Sequence, residues 1–388
     1  MQPVLRGLKV VDLAEDHAGD MTAMYLADAG ADVVKVERPG GDPTRAEPGG
    51  RVWNRGKRSV VLDVASAAGR DAVRRLAMQA DVLVESGPPA AMATLGLDYP
   101  TLSAGNERLI HCSITGYGRR SALRDRPADD ALVQARLGMN FEQPCYRRDP
   151  ATGDFVDEPV FLYVPLASYG AAMLATTGIH AALHAREVTG EGQWVETSLA
   201  QGALLWTSQI RYQAQHEPPG FMTVPFHLRG FLFECADGLW VHVMIVRDSN
   251  DRLYTALDVT PEGRLSMGYW STADDWAAWF RYVGDAFRRF NRADALAQLD
   301  AAEVPVVPVQ RAADAYAVPQ LQHNGMVAEI DDPELGRLQM IGVPYSLERN
   351  PHPPLRPQPV LGADTHVVLS EAGFSTDEIQ LLEAGAGR

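Results

Sequence analysis

The chain has 388 residues, of which 46% are hydrophobic and 22% charged, and its formal net charge is -15. That length allows two or three domains with a sizeable core. The acidic balance excludes nucleic acid as a partner, because phosphate binding needs a basic surface; an anionic cofactor needs only a few local cations and backbone amides and stays possible.

Cys112, Cys145 and Cys235 are scattered without CxxC spacing, which gives no case for a metal site and favours a reducing compartment. The first residues lack a basic stretch followed by an apolar one, so no signal peptide is expected and the expected location is cytoplasmic.

The N-terminal part alternates strand and helix signals. Leu8–Ala14 reads as a buried strand, Met21–Ala29 as a helix halted by Gly30, and Ala31–Glu37 as a second strand. Ser59–Val64, a helix from Gly69 to Gln79 and Ala80–Glu85 form a second such unit, and Leu109–Ile114 adds a strand. The echo of ADVVKVE in ADVLVES supports repeated βαβ construction and a mostly parallel sheet. A looser region rich in Arg, Asp and Pro, Arg119 to Pro159, leads into the apolar stretch Val164–Leu183, which runs on to about Arg186. This stretch is rich in Ala, Gly, Ser and Thr, holds His180 and has no second span beside it, so it reads as a buried helix and not a membrane span. Gln193–Leu199 is a further strand. From about Phe221 the chain turns aromatic and alternating, with a segment Leu239–Ile245, amphipathic helices around Trp276 to Ala297 and a short strand at Val304–Val309. The Pro cluster Pro351 to Pro359 is an extended connector before a helical tail that begins at Asp364.

Few motifs carry chemistry alone. The loop Glu15–Asp20 joins the first strand to the first helix, where ligands of open α/β sheets sit, and its His17 could move a proton; taken alone, a plain βα turn is the better reading. Arg55-Gly-Lys-Arg58 could contact a phosphate or be a solvated surface run. Asp129-Asp130 could serve as acid or base, or favour a helix N-terminus. There is no GxSxG elbow, no Ser-His-Asp order and no metal-ligand cluster.

Taken together, Gly7–Leu13, Gly30–Arg38, Lys57–Asp63, Leu109–Gly118, Asp130–Ala135, Gly178–Leu183 with Arg186, Thr189–Gln193, Pro305–Val309 and Leu361–His366 resemble the family III CoA-transferases in order and nearly end to end. The resemblance implies an α/β fold: a Rossmann-like parallel-sheet large domain plus a smaller α+β domain, in an interlocked dimer. The large domain would comprise residues 1–215 and a returning C-terminal segment, 312–388, with the small domain at 221–311. CoA or acyl-CoA is then the substrate together with a small carboxylic acid, and no metal or membrane is involved. Asp16, His17, Ala18, Arg38, Leu62, Ser86 and Gly87 are expected near CoA.

In the family, an Asp carboxylate attacks the thioester to give a mixed anhydride and free CoA thiolate. Counting back from Gly178, the resemblance puts that Asp at position 168, where this chain has Ser168, read here as a helix N-cap in a vacated nucleophile position. A hydroxyl needs a base to attack, and its ester would lie too low in energy for easy return to the thioester. Other positions depart as well: Asp20 replaces a Pro, Glu85–Ala90 replaces a Glu-Asn-Phe-Arg-Pro-Gly segment, and the His of related racemases falls on Asp129. Three readings remain. The chain is the Asp-lacking subunit of a heteromeric CoA-transferase, with acids of the benzylsuccinate type possible; or a homomeric CoA-thioester enzyme of racemase- or lyase-like chemistry using His17, Asp130 or Ser168; or a non-catalytic acyl-CoA binder. Its partner is a paralogous subunit or a second copy of itself.

Overall fold

A computed structural model describes residues 2–142, 159–208, 215–216, 231–244, 250–262 and 273–386. Cys145 and the residues from Phe221 to 230 lie outside them. The chain divides into two compact units: Met1–Glu142, Phe161–Tyr212 and Gln322–Arg388 form one, Gln143–Val160 and Gln213–Leu321 the other.

The first unit is built on the parallel sheet that the apolar runs predict. Its strands are β1 (Lys9–Asp12), β2 (Asp32–Glu37), β3 (Arg58–Val61), β4 (Val82–Ser86), β5 (Ile110–Thr115) and β6 (Trp194–Ser198). They lie in the order β3-β2-β1-β4-β5-β6, and every neighbouring pair is parallel. Alternate side chains enter different cores. Val10, Val33, Val82 and Val84 join one cluster with the helices His17–Asp28 and Leu166–Thr189; Val11, Val34 and Leu83 join another with the helix Ala67–Ala77. Strands buried on both faces are mostly apolar, which is why these read as hydrophobic runs broken only by buried charges such as Asp12 and Lys35. Strand order reverses between β1 and β4, the switch point where such sheets open a crevice.

The first helix begins at His17, four residues before its expected start, because Asp16 is extended and its carboxylate accepts the Gly19 amide at 2.9 Å. Ser66 does the same for the helix Ala67–Ala77. No described helix is long and apolar enough to cross a membrane.

In the second unit β7 (Leu232–Glu234), β8 (Trp240–Val243) and β9 (Val306–Pro308) form an antiparallel sheet in that order. Phe233 stacks on Phe280 and Phe287, both 4.7 Å away, beside the buried Trp279. The C-terminal segment of the first unit starts with a hairpin, β10 (Val327–Asp332) and β11 (Gly336–Ile341), that the sequence reading did not anticipate. It ends in helices whose Val368, Leu369, Ile379 and Leu382 complete the core around Leu83.

The Arg55–Arg58 motif proves to be neither a phosphate contact nor a solvated run. Arg55 is fully buried on Asp28, Lys57 is buried on Asp12, and Arg58 pairs with Asp32 and Glu371. Three cations in four residues survive in an acidic protein because each meets its own carboxylate.

Candidate active site

The residues expected near CoA lie along the carboxyl edge of the sheet. Past β1, the Glu15 amide donates to the Ser86 hydroxyl at the end of β4 at 3.2 Å, which ties the two sides of the switch point together. Gly87 follows with a φ of 124°, a left-handed conformation that glycine adopts freely, and its amide donates to Ile114 O at 3.1 Å. Arg38, just beyond β2, is half exposed; its Nε donates to Gly41 O at 3.3 Å and lies 3.6 Å from Glu15. Ala18 and Leu62 are fully buried, so their side chains pack the core and offer a ligand no surface.

Next to this edge is a cavity of roughly 510 Å³ within the first unit. It brings together the three expected catalytic candidates, His17, Asp130 and Ser168, with Asp16, Glu47 and Trp53. His17 Nε2 is 2.6 Å from Glu47 Oε2, and its ring lies 4.5 Å from that of Trp53. An ionised carboxylate only accepts, so in this contact Nε2 is the donor. Glu47 lies 30 residues along the chain from His17, and nothing in the sequence joins them.

Ser168 is not a helix cap. The helix Leu166–Thr189 has Pro165 at its cap position, with no side-chain cap, and Ser168 is the third residue of its first turn, 4% exposed. The capping comes from another helix. Asp130 Oδ2 accepts the Ser168 amide at 2.6 Å, and Oδ1 accepts the Ala167 amide at 3.4 Å and the Gln134 side chain. Asp129 takes the conventional role, its Oδ1 accepting the Leu132 amide at 2.9 Å as cap of the helix Asp130–Arg136. The carboxylate pair is thus split between two helix ends. Among the described residues, no carboxylate or imidazole hydrogen-bonds the Ser168 hydroxyl.

Close approach of two glycines sets the start of this helix. A Cβ on Gly170 would lie 2.3 Å from Gly202 O, and one on Gly202 would lie 2.2 Å from Ala167 O. The helix Leu199–Thr207 therefore packs backbone to backbone against the turn that carries Ser168, and its Trp206 Nε1 donates to Leu166 O at 2.8 Å.

Behind the cavity wall is a buried charge network. Lys35 Nζ contacts Asp20 and Asp42, lies 3.8 Å from Asp12 and donates to Ala14 O at 2.6 Å. Lys57 Nζ reaches Asp12 at 2.9 Å and Asn54 Oδ1 at 2.8 Å. Burial opposes the Lys35 charge, but the three aspartates overcome it and raise its pKa; burial likewise opposes ionisation of Asp20, but Lys35 and Lys57 bring its pKa down. Asp20 also accepts the Thr44 hydroxyl at 2.6 Å, and Asp42 accepts the Thr44 amide at 2.7 Å, which fixes the segment leading to Glu47. Asp16 stands apart. Its carboxyl is pushed up to about 6, chiefly by burial and further by Asp20, against the Gly19 amide and the Ser86 hydroxyl.

The family model for CoA-transferase family III matches residues 5–365. The succinate–glutarate CoA-transferase of Agrobacterium fabrum is 30% identical over 407 residues, spanning 95% of this chain and 96% of that protein. A formyl-CoA:oxalate CoA-transferase of Escherichia coli is 28% identical over 432 residues, 99% of each chain. Among solved structures, a CAIB/BAIF family protein from Brucella suis superposes with a TM-score of 0.76 at 27% identity, covering 96% of this chain and 100% of that one. Similar in sequence and fold over almost its whole length, the chain belongs to CoA-transferase family III.

Proposed function

We propose that this chain handles CoA thioesters of carboxylic acids as the subunit of a CoA-transferase that does not supply the nucleophile. The observation that carries the reading is the chemistry at position 168. A hydroxyl without a described base stands where the family resemblance puts an Asp, and Asp130 holds the neighbouring amides. In this reading a paralogous partner contributes the carboxylate that attacks the thioester carbonyl, and CoA leaves as the thiolate. This chain contributes the carboxyl edge of the sheet, where Asp16, His17, Arg38, Ser86 and Gly87 border the bound thioester. Ala18 and Leu62 support that edge from the core. The test is native mass spectrometry of the protein, affinity-tagged at its own chromosomal locus. The expected result is a complex with a second chain of similar size carrying an Asp at the aligned position; a pure homodimer that exchanges CoA between acids contradicts the reading.

One observation favours a second reading, a homomeric enzyme that moves a proton next to the thioester carbonyl. His17, held by Glu47 beside the Trp53 ring, lines the cavity where a general base is needed. If this reading holds, the pure chain exchanges the α-hydrogens of an acyl-CoA into deuterated water, and His17→Ala abolishes the exchange. Exchange unchanged by that substitution removes His17 from the chemistry.

A further inference from the structure

Asp20 stands where the family resemblance places a Pro, a residue whose side chain accepts no hydrogen bond. In this chain its carboxylate is a buried hub. Lys35 and Lys57 offset its charge, its Oδ2 accepts the Thr44 hydroxyl at 2.6 Å, and Asn54 Nδ2 lies 3.4 Å from the same oxygen. The Thr44 hydroxyl has one proton to give; Asp42 Oδ1, 2.8 Å away, already accepts the Thr44 amide, so the shorter contact to Asp20 takes it. Two turns of chain face each other here. His17 and Asp20 are one turn apart on the first helix, while Glu47 ends the short helix Pro43–Ala46, its amide donating to Thr44 O at 3.0 Å. Asp20 thus meets Thr44 in the interior, and His17 meets Glu47 at the cavity. The two contacts are unequal. The His17 and Glu47 side chains are 26% and 44% exposed, a setting in which water weakens a pair. Asp20 and Thr44 are 0% and 2% exposed, where a polar group deprived of its partner is costly. The chain beyond Thr44 moves with it: a Cβ on Gly50 would collide with Thr44 O, and the Gly50 amide donates to Glu47 O at 3.0 Å.

We infer that Asp20 is a positioning residue: through the Thr44 hydroxyl it holds the segment that carries Glu47, and with it the His17–Glu47 pair, at the cavity. The task of that pair rests on the second reading above, proton movement next to the thioester carbonyl; the tether itself does not. A base must be held close to its working geometry, and the exposed contact alone is too weak to hold it. The buried tether supplies what the exposed contact lacks.

The test is amide hydrogen exchange of the full chain, read by mass spectrometry on peptides covering the Glu47 and Gly50 amides. Thr44→Val removes the hydroxyl and keeps the shape, so it should speed their exchange at least about fivefold. Thr44→Ser should restore the wild-type rate, and Glu47→Gln, which alters only the exposed contact, should leave it unchanged. The amides of β1 and β4 should not respond in any variant, which marks the effect as local. Asp20→Ala should match Thr44→Val; if it fails to fold because Lys35 and Lys57 lose a carboxylate, the Thr44 variants decide alone. Wild-type exchange in Thr44→Val, no rescue by Thr44→Ser, or loosening by Glu47→Gln alone overturns the inference. The same variants are assayed for exchange of the α-hydrogens of butyryl-CoA into deuterated water. Thr44→Val should slow that exchange at least about tenfold, and Thr44→Ser should recover it. If the wild type exchanges no α-hydrogen while the amide pattern is as expected, the proton-transfer reading fails and the tether stands. If α-hydrogen exchange occurs and Thr44→Val leaves its rate unchanged, the positioning role falls.

Discussion

At the scale of single residues, the site is a set of carboxylates, each occupied by a different partner. Asp129 and Asp130 are adjacent in sequence, yet one caps its own helix and the other reaches 38 residues ahead to the Ser168 amide. Asp16 carries a pKa raised to about 6, mainly by burial. The folded state therefore favours its protonated form: the stability this contributes is full below the ordinary Asp range and is lost as pH rises through about 6. Asp16→Asn keeps the cap but cannot ionise, so it should remove that loss. In denaturant melts between pH 4 and 7, the wild type should weaken relative to the variant as pH rises, and parallel curves would refute the assignment. Lys35→Met leaves Asp12, Asp20 and Asp42 buried with Lys57 as their remaining lysine, which should cost about 3–5 kcal/mol in the same melts. Little of this is legible in a sequence, because His17 with Glu47, Asp130 with Ser168 and Lys35 with Asp12 are paired by the fold across 20 to 40 residues. Arg55–Arg58 misleads for the same reason: three cations in a row look like a surface until their partners are known.

At the scale of elements, far more is legible in the sequence. β1, β2, β4 and β5 announce themselves as apolar runs because both of their faces are buried, and Gly30 marks the end of the first helix with a φ of 99°. The errors are at boundaries set by side chains: Asp16 draws the first helix back to His17, and Asp130 rather than Ser168 caps the long helix. The hairpin of β10 and β11 escapes notice because its strands alternate weakly, with only Ile330, Asp332 and Met340 buried. The contact of Gly170 with Gly202 carries the sharpest prediction at this level. Gly202→Ala would push a methyl into the backbone of Ala167 and Ala171, so it should cost about 1–3 kcal/mol by overpacking and displace the turn bearing Ser168. An unchanged midpoint in thermal and denaturant melts would show that the two helices separate at no cost.

At the scale of the whole molecule, the parallel sheet of order β3-β2-β1-β4-β5-β6 and the match to residues 5–365 agree on a CoA-transferase family III scaffold. The scaffold is legible from end to end in the sequence because its strands, turns and glycines recur in order. The proposed chemistry is less so, since it rests on a single side chain, Ser168, where the family resemblance implies an Asp. The proposal that this chain alone lacks the nucleophile is tested by incorporation of isotopically labelled CoA into butyryl-CoA by the purified chain. The predicted result is no exchange above the uncatalysed rate. Exchange at an enzyme-like rate, about 1 s⁻¹ or faster, would contradict it and return Ser168, Asp130 and His17 to the search for the attacking group.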